Sequence, residues 1–421
     1  MSEIYFYKGK ENILENANPS ESESLKKIQD AFSKVLDGKN LSFLLGSGCS
    51  SHRVEKIKKG GVKDYVEVGV PTMVPLAKEF YSRILPRESK KWLEATLKLN
   101  VNDDEFNSNL EKFLGTLHSI YFFYEKTGRE DKPNAQKVAS VIKLARDFLL
   151  QKCLNEVNKT SNNDEELNKI YESFYRKLLY RNSNLPKPNI FTTNYDLYSE
   201  IALDKLGIHY VNGFSGGIRK YFNPTIFNYA LAEKMDLSQS KWSVIDNFIY
   251  LYKLHGSVNW IQDEEETKLF RVREIQETTY SNLEKQNLIM IHPTPLKQNA
   301  SMGSPYSDLF REFQKKLMQN NNVLITLGYS FSDEHINNLI YQAFTIPSFR
   351  LIVIGDHNAS DDIKKFQSLD DPRIWIIGGE LQDESKLHYF KGFVEKILPD
   401  LKNDEIDDKI ENTIRKLLGD K

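Results

Sequence analysis

From Pro186 onward the chain repeats one device: a short apolar run, a small or polar cluster at its end, then apolar residues at helical spacing. The runs cover residues 189–192, 249–254, 288–291, 323–327, 350–354 and 374–377. Helical spacing lies between several of them, over residues 197–206, 306–318, 335–344 and 387–397. Such runs are too short for helices, and they are mostly apolar rather than strictly alternating. That is the pattern of strands buried on both faces. Strands alternating with helices bury their apolar surface as a mostly parallel sheet covered on both sides. The expected fold class is therefore α/β, and ligands of such sheets bind at the carboxyl ends of the strands.

The earlier part of the chain is less uniform. The first 24 residues are polar and rich in Ser, Asn and Glu, and read as a loose arm. Residues 25–36 read as an amphipathic helix, with Ile28, Phe32 and Leu36 on one face. Residues 41–45 form an apolar run that stops at Gly46-Ser47-Gly48, a buried strand entering a tight turn. Residues from about 72 to 182 then show only helical spacing. Examples are Val74, Ala77, Phe80, Tyr81 and Leu85, and later Phe106, Leu110, Phe113, Leu114 and Leu117. Aromatic residues such as Tyr121, Phe122, Phe123 and Tyr124 suit a core, or a subunit interface. The expected organisation is an arm and helix over 1–37 and a first part of the sheet domain over 38–75. A helical insertion over 76–185, the rest of the sheet domain over 186–400 and a terminal helix over 401–421 follow.

Charge and cysteine content exclude several function classes. Lys plus Arg number 57 against 59 for Asp plus Glu, so the net charge of −2 gives no ground for a nucleic-acid or membrane-surface partner. The local basic run at Lys56, Lys58 and Lys59 reads as a solvated face. No run of about 18 apolar residues occurs, and MSEIYFYKGK lacks the apolar centre of a signal peptide. A cytoplasmic protein with reduced thiols is expected. Cys49 and Cys153 are the only cysteines, too few for a four-cysteine zinc site, and no metal site is expected.

Five clusters at strand ends carry candidate chemistry. At Gly46-Ser47-Gly48-Cys49-Ser50, glycines let backbone N–H groups approach a pyrophosphate. The third fingerprint position is not glycine, and no acidic residue closes a second strand about 20 residues on, so a plain strand-to-helix turn fits equally. At Thr192-Thr193-Asn194-Tyr195-Asp196 a strand gives way to a helix. Thr193 or Asn194 suits an N-cap and Asp196 the first turn, while the same polar groups suit a ligand. At Lys253-Leu254-His255-Gly256-Ser257 a histidine ends a strand, where an imidazole can serve as general base. At Gly328-Tyr329-Ser330-Phe331-Ser332-Asp333-Glu334, Ser332 reads as N-cap with Asp333 and Glu334 in the first turn. Gly328 and Ser330 are the candidate ligand contacts there. Finally, Gly355-Asp356-His357 offers Asp356 as a candidate for adenine or its ribose.

Taken in order, Gly46-Ser47-Gly48-Cys49-Ser50, Gly69-Val70-Pro71, Thr193-Asn194-Tyr195-Asp196, Leu254-His255-Gly256-Ser257 and Gly328-Tyr329-Ser330 resemble the sirtuin-like superfamily. The resemblance covers about residues 38–75 and 186–380, outside the helical insertion. It implies a Rossmann-like, mostly parallel sheet with helices on both faces, plus that insertion. It also implies NAD+ as substrate. Deacetylase sirtuins carry zinc on four cysteines, which this chain does not have. The chain is more similar to the zinc-free bacterial branch that destroys NAD+ in antiphage defence, and within it to the partner subunit of a HerA-type ATPase. A homo-oligomer is implied as well.

The resemblance assigns Asn194, His255 and Asp196 to catalysis. Asn194 holds the nicotinamide ribose and the attacking water, His255 acts as base, and Asp196 orients the site or stabilises positive charge. It assigns Gly46, Ser47, Gly48, Ser50, Thr193, Gly328 and Ser330 to binding the dinucleotide, and the strand-end position of Asp356 adds that residue. Alternatives are an NAD or ADP-ribose sensor without turnover, a scaffold subunit and a protein deacylase.

Overall fold

The computed structural model describes residues 3–14, 20–57, 63–127, 132–154, 164–179, 181, 184–234, 242–263, 271–276, 278–284, 286, 288–290 and 304–399. The terminal helix expected over 401–421 lies outside the described residues, as does Ile291. Twelve strands matter for the site. They are β1 (Glu3–Lys8), β2 (Glu11–Asn12), β3 (Asn40–Leu45), β4 (Ser51–Ile57), β5 (Lys63–Gly69) and β6 (Asn189–Thr192). The others are β7 (His209–Val211), β8 (Phe248–Lys253), β9 (Gly256–Gln262), β10 (Asn322–Leu327), β11 (Arg350–Ile354) and β12 (Ile374–Glu380).

The main sheet runs β2-β1-β12-β11-β10-β3-β6-β8-β7. From β12 to β7 every neighbouring pair is parallel. Only the β1–β2 edge is antiparallel. The strands feed two cores by simple alternation, because successive side chains leave opposite faces of a strand. Leu41, Phe43 and Leu45 of β3, Val323, Ile325 and Leu327 of β10, and Ile352 and Ile354 of β11 enter one core. Leu44, Leu324, Leu351 and Val353 enter the other. This is the α/β class expected from the apolar runs, and the Rossmann-like, mostly parallel sheet with helices on both faces that the resemblance implies.

Helices cover both faces. On the first lie α1 (Glu21–Leu36), α6 (Asp164–Leu179) and α7 (Tyr198–Lys205). On the second lie α8 (Tyr306–Leu317), α9 (Glu334–Ala343) and α10 (Asp361–Ser368). Between β5 and α6 come α2 (Met73–Glu79), α3 (Arg87–Leu97), α4 (Leu110–Thr127) and α5 (Lys132–Leu154). These four enclose an apolar core of their own, built on Leu76, Phe80, Leu93, Phe113, Leu117 and Phe148. The following helix, α6, instead packs Tyr171, Phe174 and Tyr175 into the core beneath the sheet.

Three expectations change. The loose arm is partly strand: β1 pairs with β12 along its whole length, and Phe6 is fully buried. A strand of six residues, second from the sheet edge beside the short β2, carries few local turn signals, so its polar flanks masked it. Helix α1 starts at Glu21, four residues early, because Ser20 and Glu23 form a reciprocal capping box. Residues 288–290 form a strand outside the main sheet. They pair antiparallel with β9 in a second, five-stranded sheet that also takes in residues 272–274, 220–222 and 214–215.

Candidate active site

The chain leaves β3 for β6 on one side of the sheet, whereas β10 sits against β3 on the other. The winding therefore reverses between β3 and β10, which opens a crevice at their carboxyl ends. The loops that follow these two strands meet there backbone to backbone. A Cβ on Gly46 would lie 2.5 Å from the Gly328 carbonyl oxygen, and one on Gly48 2.8 Å from Gly328 Cα. Gly328 itself has φ +57°, in the left-handed region that favours glycine. The Gly46 N–H donates to the Leu327 carbonyl (2.8 Å) and the Gly48 N–H to that of Gly328 (2.9 Å). Cys49 and Ser50 N–H donate to Gly46 and Ser47 carbonyls (3.0 and 3.1 Å). The glycines of this turn thus serve first to let two loops touch, and four of its amides are engaged within them.

Asn194 follows β6 and joins the same place. Its Nδ2 donates to the Gly46 carbonyl (2.9 Å) and to Ser50 Oγ (2.8 Å). Ser50 Oγ in turn donates to Asp196 Oδ2 at 2.5 Å. Thr192 Oγ1 accepts the Asn194 N–H (3.0 Å) and donates to the Leu45 carbonyl (3.1 Å). Helix α7 begins only at Tyr198, so Asn194 and Thr193 are not its caps. Asp196 Oδ1 takes the Tyr198 N–H at 3.2 Å, the role expected of a residue just before the first turn. Asn194 is buried, as are Ser50 and Asp196. A charge-assisted hydrogen bond from Ser50 to a buried carboxylate is short and strong, so the chain of contacts Asn194–Ser50–Asp196 is rigid.

His255 lies between β8 and β9. Gly256, at φ +88°, turns the chain immediately after it. The His255 Nε2 stands 3.0 Å from Asp333 Oδ2, and both side chains are about nine-tenths buried. The same carboxylate caps α9, its Oδ1 accepting the N–H groups of His335 (3.0 Å) and Ile336 (3.3 Å). The N-cap is thus Asp333, one residue beyond the expected Ser332. A carboxylate held by a helix end fixes the imidazole's orientation and tautomer, the arrangement that prepares a histidine for proton transfer. The Asp333 carbonyl accepts the Asn337 N–H (3.0 Å) and Tyr329 Oη (3.4 Å). Tyr329 Oη bonds Asn337 Oδ1 (3.1 Å), and Asn337 Nδ2 donates to the Phe331 carbonyl (2.6 Å).

These groups border one cavity of about 430 Å³, within the range of small-molecule sites. Ser47, Ser50, Thr193, Asn194, Tyr195, Asp196, His255, Ser330 and Asp333 line it. Gly46, Gly48 and Gly328 shape the loops beneath it and do not line it, and Asp356 does not line it either. The opposite wall comes from the helical insertion: Met73, Leu76 and the approach to α4, including Glu105, Asn109, Glu111 and Lys112. Sequence reading placed Asp333 in the first turn of a helix and Tyr329 within a motif, without the His255 contact, and this whole wall escaped it. No local motif marks a residue that acts through a neighbour far away in the chain. Cys153 also lines the cavity, but burial pushes its thiol up, as it does that of Cys49. Neither offers a thiolate nucleophile near neutral pH. Among the described residues, no group of three or more His, Cys, Asp or Glu is placed to hold a metal ion. No helix among them is long and apolar enough to cross a membrane.

A doubly wound sheet with polar loops converging on its reversal point is the arrangement in which open α/β sheets place their ligands. Residues 188–354 match the family model of the SIR2-like domain. The match covers less than half of the chain and takes in Asn194, Asp196, His255, Ser330 and Asp333. It supports a sirtuin-like family and, with it, NAD-dependent chemistry in the broad sense. No relative among curated proteins matches the chain.

Proposed function

We propose that this chain hydrolyses NAD+ to nicotinamide and ADP-ribose. The observation that carries the proposal is the convergence of Asn194 and His255 on one cavity, each anchored by a buried carboxylate. Asp196 anchors Asn194 through Ser50, and Asp333 anchors His255 directly.

The bond to be broken joins C1′ of the ribose to the ring nitrogen of nicotinamide. That nitrogen carries positive charge, and the bonding pair leaves with it, so nicotinamide departs neutral. No acid is needed to protonate it, unlike an ordinary glycoside. The protein must stabilise the positive charge that grows on the ribose and direct water to C1′. Asn194 holds the ribose and the water, and Asp196 faces the developing positive charge. As water adds to C1′, His255 takes its proton, and the Asp333 carboxylate stabilises the imidazolium that results. Ser47, Ser50, Thr193 and Ser330 supply polar contacts to the rest of the dinucleotide from the near side, and the helical insertion closes the far side.

The test is an NAD+ consumption assay with product chromatography. Asn194→Ala and His255→Ala are expected to abolish NAD+ loss while circular dichroism stays that of the parent. Unchanged turnover in either variant removes the role given to that residue. Deacylation is the second chemistry open to a sirtuin-like site, and an acetyl-peptide substrate in the same assay distinguishes it. Unchecked NAD+ loss is lethal to a cell, so we infer conditional activity. On the resemblance of the motifs, we place the chain in cytoplasmic antiphage defence, as a homo-oligomer switched on with a HerA-type ATPase partner. Assays of the chain alone and with such a partner test that placement.

A further inference from the structure

Lys253 ends β8, two residues before His255, and is 1% exposed. Its ammonium sits 3.0 Å from Glu200 Oε1 in the first turn of α7. It also donates to the Asp196 carbonyl and reaches the Tyr195 carbonyl at 3.5 Å. Every one of these partners belongs to the segment that runs from Asn194 into α7. The same Tyr195 carbonyl accepts the Val258 N–H (3.0 Å) and Ser257 Oγ (3.3 Å), so groups on both sides of His255 grip one short turn.

A buried ion pair is a poor device for stability alone. Desolvation consumes most of the attraction, and two apolar side chains in its place often serve as well. What apolar side chains cannot do is bind carbonyl oxygens. Burial also pushes the Glu200 carboxyl up, with Lys253 opposing that shift, which underlines that the pair is held against a desolvation cost.

We propose that Lys253 is a positioning residue. It fixes the carbonyls of Tyr195 and Asp196 so that Asn194, on the turn after β6, stays in register with His255, on the turn after β8. The inference rests on the reading that Asn194 and His255 act on the substrate. Lys253 touches no reacting atom. It acts through the backbone of the turn.

The test uses the full chain, with Lys253→Met and the double variant Lys253→Met with Glu200→Leu. The double variant removes both charges and leaves neither one buried alone. Two measurements are made: hydrogen exchange over residues 193–200 and steady-state NAD+ turnover. The expected result is faster exchange in that segment, with β10 and β3 protected as in the parent. The double variant is expected to keep the parent's melting temperature while kcat falls about 10- to 100-fold and KM changes little. Parental exchange over 193–200 in a folded variant overturns the proposal, whatever the turnover. Failure of both variants to fold also overturns it, because the pair then carries the fold rather than the turn. If the parent shows no NAD+ turnover, the functional reading fails, and exchange alone decides the positioning role.

Discussion

His255 and Asp333 stand 78 residues apart in the chain and 3.0 Å apart in space. Asp333 performs two tasks, capping α9 and orienting His255, and substitution separates them. Asn caps helices about as well as Asp, but it cannot stabilise an imidazolium. Asp333→Asn is therefore expected to lower kcat about 10- to 100-fold while the melting temperature barely moves. Asp333→Ala loses the cap as well, at about 1 kcal/mol, which a denaturant titration reads. The glycines are tested in the same way. A Cβ on Gly48 meets the Gly328 backbone at 2.8 Å, and backbone does not move aside cheaply. Gly48→Ala is expected to cost about 1–3 kcal/mol of stability, again by denaturant titration. The candidate residues Asn194 and His255 were legible because each ends a strand. Asp333 was legible as a helix start or a contact to ribose hydroxyls, but not as the partner of His255, because that partner is remote in the chain.

Helix α4 joins the insertion's own core to the wall of the cavity. Phe113 and Leu117 enter that core, Leu110 and Leu114 belong both to it and to the cavity lining, and Glu111, Lys112 and Thr116 line the cavity. Its His118 is half-buried, and burial holds the imidazole below the ordinary histidine range. His52 and His388 are shifted the same way, chiefly by burial. An unfolded histidine takes up a proton near pH 6.5, whereas these folded ones resist it to lower pH. Proton uptake therefore favours the unfolded chain as pH falls. The contribution of these rings to stability is complete above about pH 7 and declines as pH drops below about 6.5. Melting curves from pH 7.5 to 5 are expected to show that decline, and His118→Leu is expected to flatten it. The helical character of this stretch was plain from its spacing. Its role as a wall was not, because periodicity shows which face is apolar and not what the opposite face meets.

The whole molecule holds its site between a doubly wound sheet and a separate helical core, and its two cysteines are too few for a four-cysteine zinc site. Addition of a strong zinc chelator is expected to leave the circular dichroism spectrum and melting temperature unchanged, and a chelator-induced loss of either refutes a zinc-free fold. Much of the sheet was readable in advance, because strands buried on both faces are mostly apolar and so announce themselves locally. The strand at 288–290 was readable as a strand but not as a member of the second sheet, and β1 was hidden by its polar neighbours. The linear chain was enough to establish the α/β class, the helical character of residues 73–154 and the polar clusters at strand ends, since each depends on neighbours within a few residues. Tertiary structure alone decided the strand order, the backbone contact of the Gly46–Ser50 and Gly328–Asp333 loops, the His255–Asp333 pair and the wall that α4 presents. Those features depend on where crossovers return the chain, and on groups that meet only after both faces of the sheet are covered.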